Sequence, residues 1–279
     1  MTRYVLVAGW PILLRPDDAV QLGWDPRRAV LVRPPAGVTQ TQLQHLLRTL
    51  QTGATRAELT TATEPFIDTD AVDELIDALT AADVLTATPD RPTRSASIRV
   101  HGRGPLSELL TTGLRCSGAR VRHSTHPHAR GVAAATDLVV LADYQVTDPR
   151  LRQELHHGGI AHLPVRVRDG AGLVGPLVIP GLTSCLQCAD LHRTDRDAAW
   201  PVVATQLRGA VGTASRATIL ATAALAMRQV ELVIRAVGHT GGQQPAPQAP
   251  PTLNTTLELE ADGYSIVARR WSRHPDCPC

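Results

Sequence analysis

Residues 97–123 read SIRVHGRGPLSELLTTGLRCSGARVRH, and this stretch determines the predicted fold of most of the chain. Apolar and polar residues alternate in the opening SIRVHG and in the closing ARVRH, which is typical of β-strands. Between them, a Gly102-x-Gly104 turn precedes a segment whose leucines have helical spacing. A strand, a glycine turn, a helix and a second strand form one βαβ unit. The stretch therefore predicts a doubly wound sheet.

The segments that follow extend the same pattern. The continuous apolar run DLVVLAD, residues 137–143, is typical of a strand buried on both faces. The remaining predicted elements are a helix over 148–159, a strand over 162–170, an extended pair over 171–181, a long helix over 203–237 and a hairpin over 252–271. We therefore predict a Rossmann-like α/β domain over residues 91–279.

The first 90 residues have a different pattern. Short apolar segments separated by turns predict three or four strands within residues 4–33. Helical periodicity then predicts three short helices, over 39–50, 54–62 and 68–85. A small sheet with three helices is typical of a winged-helix-like module, which we assign to residues 1–90. Residues 89–97 have the composition of a linker.

The composition argues against several function classes. The formal net charge of +2 does not call for a nucleic-acid surface, and the acidic third helix would repel phosphate. All 28 basic residues are arginine, so chemistry that needs a lysine is not available. The longest apolar stretch, residues 213–238, is interrupted by charges at helical intervals and predicts a core helix, not a membrane span. The N-terminus lacks the features of a signal peptide, and we expect a cytoplasmic protein.

Four of the five cysteines form two close pairs. Cys185 and Cys188 form a C-x-x-C, and Cys277 and Cys279 form a C-x-C. In a cytoplasmic protein such pairs indicate a metal more than disulfides. Four thiolates suit tetrahedral zinc with no open position, so we predict a structural zinc site. The alternatives are incidental cysteines or a redox pair, which would leave the second pair unexplained. The fifth cysteine, Cys116, is predicted to be in the core.

Three histidines, His123, His126 and His128, form another group of possible metal ligands. No helical spacing brings them together, and a proline separates the last two. A solvated loop is the favoured interpretation.

Residues 162–188, HLPVRVRDGAGLVGPLVIPGLTSCLQC, and the terminal RRWSRHPDCPC resemble the ThiF/MoeB family of ubiquitin-activating-enzyme-like proteins. The resemblance covers about Ile98 to Cys279. It implies one zinc held by the two cysteine pairs, and a homodimer. In active members it implies ATP- and magnesium-dependent adenylation of the C-terminal carboxylate of a small protein. The terminal C-x-C departs from the C-x-x-C usual in the family.

Most of the residues that this adenylation needs are missing. The glycine loop is reduced to Gly102 and Gly104, and Pro105 removes an amide that could contact phosphate. The phosphate-binding lysine is absent, and His123 is near the position of the ribose-binding acid. Asp143 is the candidate for the magnesium ligand. We therefore predict a degenerate domain without ATP, and a binding protein more than an enzyme. A divergent adenylyltransferase that uses arginine in place of lysine is the alternative.

Residues 185–201, CLQCADLHRTDRDAAWP, resemble one subgroup in particular, the TOMM precursor leader peptide-binding proteins that partner azoline-forming cyclodehydratases. This resemblance implies an N-terminal RiPP recognition element that binds the leader of a precursor peptide, and a YcaO-type cyclodehydratase as partner. The peptide is expected to add as a strand beside residues 28–33 and to lie against the helix over 71–82. The implied contact residues are Arg28, Ala29, Val30, Leu31, Val32, Arg33, Val72, Leu75, Ile76 and Leu79. The alternative for these residues is an ordinary edge strand and an amphipathic core helix.

The charged run after the first cysteine pair has two interpretations. Arg193 and Arg196 either belong to a solvated turn or face a partner or an anion, since arginine favours bidentate contacts. In the second case Trp200 would hold the run in a pocket. We predict a functional role for the segment as a whole.

Overall fold

The structure is a computed structural model that describes residues 2–7, 9–63, 67–89, 94–125, 135–238, 248–260, 263 and 265–279. The described residues up to Pro89 form one compact unit, and those from Arg94 onward form another. Residues 90–93, where the sequence places the domain boundary, lie outside the described part of the chain.

The first unit contains two three-stranded sheets and three helices. One sheet has the strand order β5-β1-β6 and the other the order β2-β3-β4. The elements are β1 (Thr2–Leu6), β2 (Ile12–Leu14), β3 (Val20–Leu22), β4 (Val30–Val32), α1 (Gln40–Thr52), β5 (Ala54–Thr55), α2 (Arg56–Thr63), α3 (Thr69–Ala81) and β6 (Leu85–Pro89). Whether this arrangement belongs to the winged-helix class stays a prediction.

Local sequence signals explain the helices of the first unit. Thr39 and Gln42 form a reciprocal capping box at the start of α1. The Asp68 side chain accepts a hydrogen bond from the backbone N–H of Asp70 at the start of α3. The apolar faces of both helices are buried in one core with strands β1, β3 and β4. The predicted third helix was too long, since α3 ends at Ala81 and β6 then pairs antiparallel along β1.

The second unit contains one seven-stranded mixed sheet with the order β13-β12-β11-β10-β9-β7-β8. Strands β8, β7, β9 and β10 are parallel, and β11, β12 and β13 are antiparallel. The elements are β7 (Ser97–His101), α4 (Pro105–Leu114), β8 (Arg120–Ser124), β9 (Leu138–Ala142), α5 (Pro149–His157), β10 (His162–Arg168), β11 (Ala171–Val174), α6 (Leu186–Arg196), α7 (Trp200–Gln206), α8 (Arg216–Gly238), β12 (Thr255–Glu260) and β13 (Ser265–Arg270). The predicted α/β class is confirmed.

Helices cover both faces of this sheet. Helices α4 and α8 bury apolar side chains against one face, together with Val165 and Val167 of β10. Helices α5 and α6 contribute to a second core on the other face, with Val139 and Leu141 of β9. Successive residues of a strand point to opposite faces, so the two cores use alternate positions of the same strands.

Two predictions for this unit were wrong, and one helix was not predicted. The long helix over 203–237 is two helices, because residues 208–211 form bridges with Val146 and Tyr144 and leave the helical path. Residues 186–196 form helix α6, which the sequence did not predict. Cys116 follows the end of α4 and is exposed, so it is not a core residue.

Helix α8 is long and apolar enough to cross a bilayer by length and composition alone. Its Ala223, Ala226 and Val230 are buried in the core of the second unit. A long core helix of a globular domain meets the same criteria, and the packing of α8 agrees with that interpretation.

Candidate functional site

The four paired cysteines lie together in the second unit. Cys185 is the N-cap of α6 and Cys188 lies in its first turn, whereas Cys277 and Cys279 follow β13. The Sγ–Sγ distances are 3.7 Å for Cys185–Cys188, 3.5 Å for Cys185–Cys277 and 3.4 Å for Cys188–Cys279. We call these four residues the cysteine cluster. The structure thus brings together all four predicted metal ligands.

The distances in the cysteine cluster fit a tetrahedral metal. A disulfide would bring two sulfur atoms to about 2.05 Å. Four sulfurs at about 2.3 Å from one zinc ion are about 3.8 Å apart at tetrahedral angles. All four Sγ atoms lie within 4.8 Å of one another. The cluster is therefore compatible with a zinc site.

The thiols of the cluster differ in acidity. Burial and the neighbouring thiols raise the pKa of Cys185, and burial raises the pKa of Cys279 to about 11. Burial opposes ionisation of Cys188 too, but hydrogen bonds from the backbone of His274 and Cys185 lower the pKa of Cys188 to about 7. Cys188 therefore ionises more readily than Cys185 or Cys279, and a bound cation would favour the thiolate form of these two.

Neighbouring polar residues hold both halves of the cluster in place. The Asn254 side chain accepts a hydrogen bond of 2.7 Å from the N–H of Ser184, next to Cys185. His274 Nδ1 accepts a hydrogen bond from the N–H of Asp276, and its Nε2 lies 2.8 Å from an Asp195 carboxylate oxygen. Because Nδ1 is an acceptor, the proton is on Nε2, and His274 links the terminal segment to α6. The sequence reasoning did not find these supporting residues.

The Gly102-x-Gly104 turn lies at the topological switch point of the sheet. Strand β7 pairs with β8 on one side and with β9 on the other, and ligands of doubly wound sheets bind where the strand order reverses. Asp143, the first residue after β9, occupies this position and is buried. The structure thus brings together the three predicted nucleotide-site residues, Gly102, Gly104 and Asp143.

Asp143 binds the N-terminus of α4 from inside the protein. Its Oδ1 accepts a hydrogen bond of 2.9 Å from the N–H of Leu106, and its Oδ2 accepts one of 3.2 Å from the N–H of Ser107. A Cβ atom on Gly104 would lie 2.8 Å from Asp143 Oδ1, and one on Gly102 would lie 2.5 Å from the carbonyl oxygen of Ala142. The glycines thus allow the close approach of the chain after β9. Two amides that could hold a phosphate at this helix terminus already hold a carboxylate.

A cavity of about 520 Å³ lies beside the switch point, at the carboxyl ends of β7 and β9. His101, Arg103 and Arg208 are among its lining residues. Burial and the charge of Arg99 lower the pKa of His101 to about 4, so this imidazole is neutral at pH 7. His123 Nε2 donates a hydrogen bond of 3.0 Å to the carbonyl oxygen of Gly102, so His123 contacts the glycine turn. His126 and His128 lie outside the described residues.

The predicted peptide-binding strand is an edge strand. β4 spans Val30–Val32, shorter than the predicted 28–33, and ends the β2-β3-β4 sheet with no described strand on its outer side. Leu31 pairs across the sheet with Gln21, which pairs with Leu13. These three side chains form one row, in which Leu31 and Leu13 are 51% and 39% exposed. The row thus places two exposed leucines on either side of Gln21 on one face of this sheet.

The predicted contact residues on α3 are in a different position. Val72, Leu75, Ile76 and Leu79 are buried in the core of the first unit. They have the role of an amphipathic core helix, the alternative given for them above. A ligand on the solvent face of α3 would meet Glu74 and Asp77 instead, because these alternate with the core positions.

A cavity of about 1040 Å³ lies on the α6 side of the sheet in the second unit. We call it the arginine cavity, because seven arginines and three aspartates are among the residues that line it. The arginines are Arg152, Arg166, Arg168, Arg193, Arg196, Arg269 and Arg270. The predicted partner residues Arg193, Arg196 and Trp200 thus all line this cavity. Arg193 and Trp200 are partly buried, and Arg196 is exposed to solvent.

Most of the partly buried arginines in this cavity have acidic partners. Asp190 binds Arg152 at 2.8 Å and Arg193 at 3.0 Å. Arg193 lies over both Trp200 and Trp271, with its guanidinium carbon 5.0 Å and 5.2 Å from the ring centroids. These contacts fix α6 against β13.

A second set of ion pairs crosses the sheet on the same side. Arg168 of β10 binds the buried Glu258 of β12 at 2.7 Å, and Arg269 of β13 binds the same carboxylate. Burial opposes ionisation of Glu258, but hydrogen bonds from the two arginines give it a pKa below its usual value. This face of the sheet is therefore charged where an apolar core would be usual.

Arg166 differs from the other arginines of the cavity. Its side chain is half-buried, and its guanidinium group has no hydrogen bond or ion pair to any described residue. Burial, with the charge of Arg193, lowers the pKa of Arg166 to about 10, so the side chain is still charged at pH 7. The sequence reasoning missed this residue. Its signal was a charge within an otherwise buried strand, HLPVRVR.

Comparisons with known proteins give structural relatives only. No family model matches the chain, and no curated protein sequence matches it. A solved heterocyclase in complex with substrate and cofactor matches 100% of this chain and 39% of its own, with a TM-score of 0.69 and 15% identity. The heterocyclase TruD matches 100% of this chain and 42% of its own, with a TM-score of 0.66 and 15% identity.

A third relative is close to this chain in length. The Microcin C7 biosynthetic enzyme MccB in complex with N-formylated MccA matches 99% of both chains, with a TM-score of 0.58 and 13% identity. The chain spans about two fifths of the length of the two heterocyclases. At such identities the likeness shows a shared fold, a mixed α/β architecture common to heterocyclases and MccB.

Proposed function

We propose that the protein is a non-catalytic scaffold that binds the leader of a ribosomal precursor peptide for azole- or azoline-forming modification, in partnership with a YcaO-type cyclodehydratase. The observation that carries the proposal is a contrast in the molecule. The amides at the switch point are already bound by Asp143, whereas the edge of β4 has no described partner. The shared fold with heterocyclases and with MccB supports the same pathway class.

The peptide would pair its backbone with the free edge of β4. Strand addition supplies backbone hydrogen bonds, and side chains of the neighbouring strand supply specificity. Leu31 would contact the peptide directly, because adjacent strands place side chains of one row in contact. In this proposal the first unit acts as a RiPP recognition element, and α3 supports it from the core.

The cysteine cluster would hold one structural zinc. A closed set of four thiolates leaves no position for water or substrate, so the metal would stabilise the fold and take no part in chemistry. Cys185, Cys188, Cys277 and Cys279 would be the ligands.

A binding titration tests the scaffold function. Fluorescence polarisation with labelled peptides from short reading frames beside this gene should detect binding of one leader. Leu31→Asp should weaken that binding by about 10-fold or more, because it places a charge in an apolar contact. Leu220→Asp, a similar change at an exposed leucine of α8, is the matched control and should have no effect. Equal binding by both variants, or no binding of any neighbouring peptide, would contradict the proposal.

A divergent adenylyltransferase is the second candidate. The fold shared with MccB, a biosynthetic enzyme, supports it. ATP–pyrophosphate exchange that depends on a peptide carboxylate would establish it and refute the scaffold role. We expect no exchange.

The remaining expectations concern assembly and location. We propose a homodimer and a cytoplasmic protein, without a nucleic-acid or membrane partner. Sedimentation analysis would test the homodimer. Copurification with a YcaO-type enzyme from the same gene neighbourhood would test the partnership with the cyclodehydratase.

A further inference from the structure

The arginine cavity contains more cations than its acids neutralise. Arg166, Arg196 and Arg270 line it without an ion-pair partner among the described residues. Asp190 is bound by Arg152 and Arg193, and Glu258, nearby, is bound by Arg168 and Arg269.

The remaining acids of the lining do not neutralise these arginines. Asp169 and Asp197 are exposed and bind no arginine. The three unpaired arginines therefore give the cavity a positive potential.

Arg166 is the deepest of the three unpaired arginines. It belongs to β10, in the row Arg166–Leu173–Glu258 across the sheet, and it is half-buried. Taking a guanidinium partly out of water is unfavourable unless an anion compensates it. The low pKa of Arg166 has the same origin. An arrangement that persists at such a cost is expected where a ligand supplies the missing anion.

The shape of the site indicates more than a single small ion. The cavity is about 1040 Å³, similar to the upper range of pockets that enclose molecules of drug size, about 300–1,000 Å³. Arg196 and Arg270 are exposed, so the cations extend from the sheet to the rim. A ligand with several carboxylates along its length would pair with all of them.

The choice of a peptide carboxylate as ligand depends on the arginines of the cavity and not on its aromatic residues. Trp200 and Trp271 both stack on Arg193, which is itself bound to Asp190. Arg193 thus occupies one ring face of each indole, and the unpaired arginines are the main groups that would bind a ligand. Arginine forks match carboxylates well.

We propose that the arginine cavity binds an acidic peptide segment, with Arg166 as the central contact for a carboxylate and Arg196 and Arg270 as contacts nearer the rim. The choice of a peptide as ligand rests on the proposed function, but the anion site itself does not. The cavity would be a second peptide contact, formed entirely by the second unit.

Binding of labelled hexaglutamate to the full chain, followed by fluorescence polarisation, tests this proposal. Wild-type protein should bind hexaglutamate and should not bind hexalysine. Arg166→Gln should weaken binding by about 10-fold or more, as expected for loss of a hydrogen bond to a charged group. Arg115→Gln, the same change at an exposed arginine after α4, is the matched control and should bind like wild type.

Competitors identify the source of the anion. Unlabelled hexaglutamate should displace the probe at lower concentration than ATP or inorganic phosphate does. Tighter displacement by ATP or phosphate would overturn the peptide assignment, and equal binding by Arg166→Gln and wild type would overturn the site.

Thermal unfolding separates a ligand contact from a structural residue. Without ligand, Arg166→Gln should unfold at a temperature no lower than that of wild type, and hexaglutamate should stabilise wild type only. A large loss of stability in the free variant would instead give Arg166 a structural role and overturn the proposal. Leu31→Asp should still bind hexaglutamate, so failure of the leader clamp and failure of the arginine cavity give different results.

Discussion

Two positions in the second unit offer hydrogen-bond donors to an anion, and they differ in whether the protein supplies that anion itself. At the switch point, the amides of Leu106 and Ser107 donate to the Asp143 carboxylate. In the arginine cavity, Arg166 has no partner among the described residues. The difference teaches that one domain can satisfy the donors at one site with its own carboxylate and leave the donors at another site without a partner.

The largest change is expected from loss of the cysteine cluster. Cys277→Ser should release the metal and lower the free energy of unfolding of the second unit by several kcal/mol, because structural zinc contributes about 10 kcal/mol to small domains. Cys188 lies in α6, which carries Arg193, so the wall of the arginine cavity should loosen more than the switch point. Metal analysis, urea unfolding and amide hydrogen exchange of α6 and α4 would measure these effects.

Cys116→Ser is the control for this experiment, since Cys116 is exposed and outside the cluster. Zinc content and stability that do not change in Cys277→Ser would refute the structural site.

The next largest change in stability is expected at the switch point, where Asp143 binds two backbone amides. Asp143→Ala should lower the free energy of unfolding by about 2–4 kcal/mol, because two buried amides lose a charged acceptor. Asp148→Ala, which removes the side-chain N-cap of α5, should cost only about 1 kcal/mol. Urea unfolding of both variants compares them. An effect of Asp143→Ala no larger than that of Asp148→Ala would show that the switch point is not held by this carboxylate.

Acid should weaken the ion pairs that Glu258 forms with Arg168 and Arg269 beside the arginine cavity. Because its two arginines give Glu258 a pKa below the usual value, the unfolded state takes up the proton at higher pH than the folded state. The stabilisation is thus present above the ordinary carboxyl pKa of about 4.5 and is lost as pH falls through the lower, folded value. Glu258→Gln should remove about 1 kcal/mol at pH 7 and flatten the pH dependence of unfolding in this acid range. Parallel pH profiles of wild type and variant would disagree with this assignment.

The smallest effect is expected for Arg166, and here the substitution should increase stability. Arg166→Met should raise the free energy of unfolding by roughly 1 kcal/mol without ligand, since an uncompensated charge is removed from a partly buried site. Chemical unfolding at pH 7 measures the change. A loss of stability would mean that Arg166 has a structural partner, and the contrast with Asp143 would fail.

The sequence predicts those elements whose signals are local. The βαβ unit, the capped helices of the first unit and the terminal hairpin follow from periodicity, glycines and caps, and they are confirmed. Cysteine spacing also identified the four residues of the cysteine cluster before their geometry was known.

What the sequence could not predict depends on contacts between distant segments. The helix predicted over 203–237 is interrupted because residues 208–211 bridge to the segment after β9, more than sixty residues earlier. The apolar face of α3 has the same helical spacing whether it contacts a core or a ligand. Only the structure shows that its residues Val72, Leu75, Ile76 and Leu79 are in the core. The roles of Asp143 and Arg166 also depend on distant contacts. Asp143 binds two amides that lie more than thirty residues earlier in the chain, and the side chain of Arg166 has no partner among the described residues.

The contact of Arg193 with two indoles also provides an optical reporter. The chain has four tryptophans, and Trp200 and Trp271 both line the arginine cavity. Trp10 and Trp24 belong to the first unit, so replacing these two by phenylalanine would leave emission only from the cavity. Quenching of that emission would then follow events in the second unit without any attached dye.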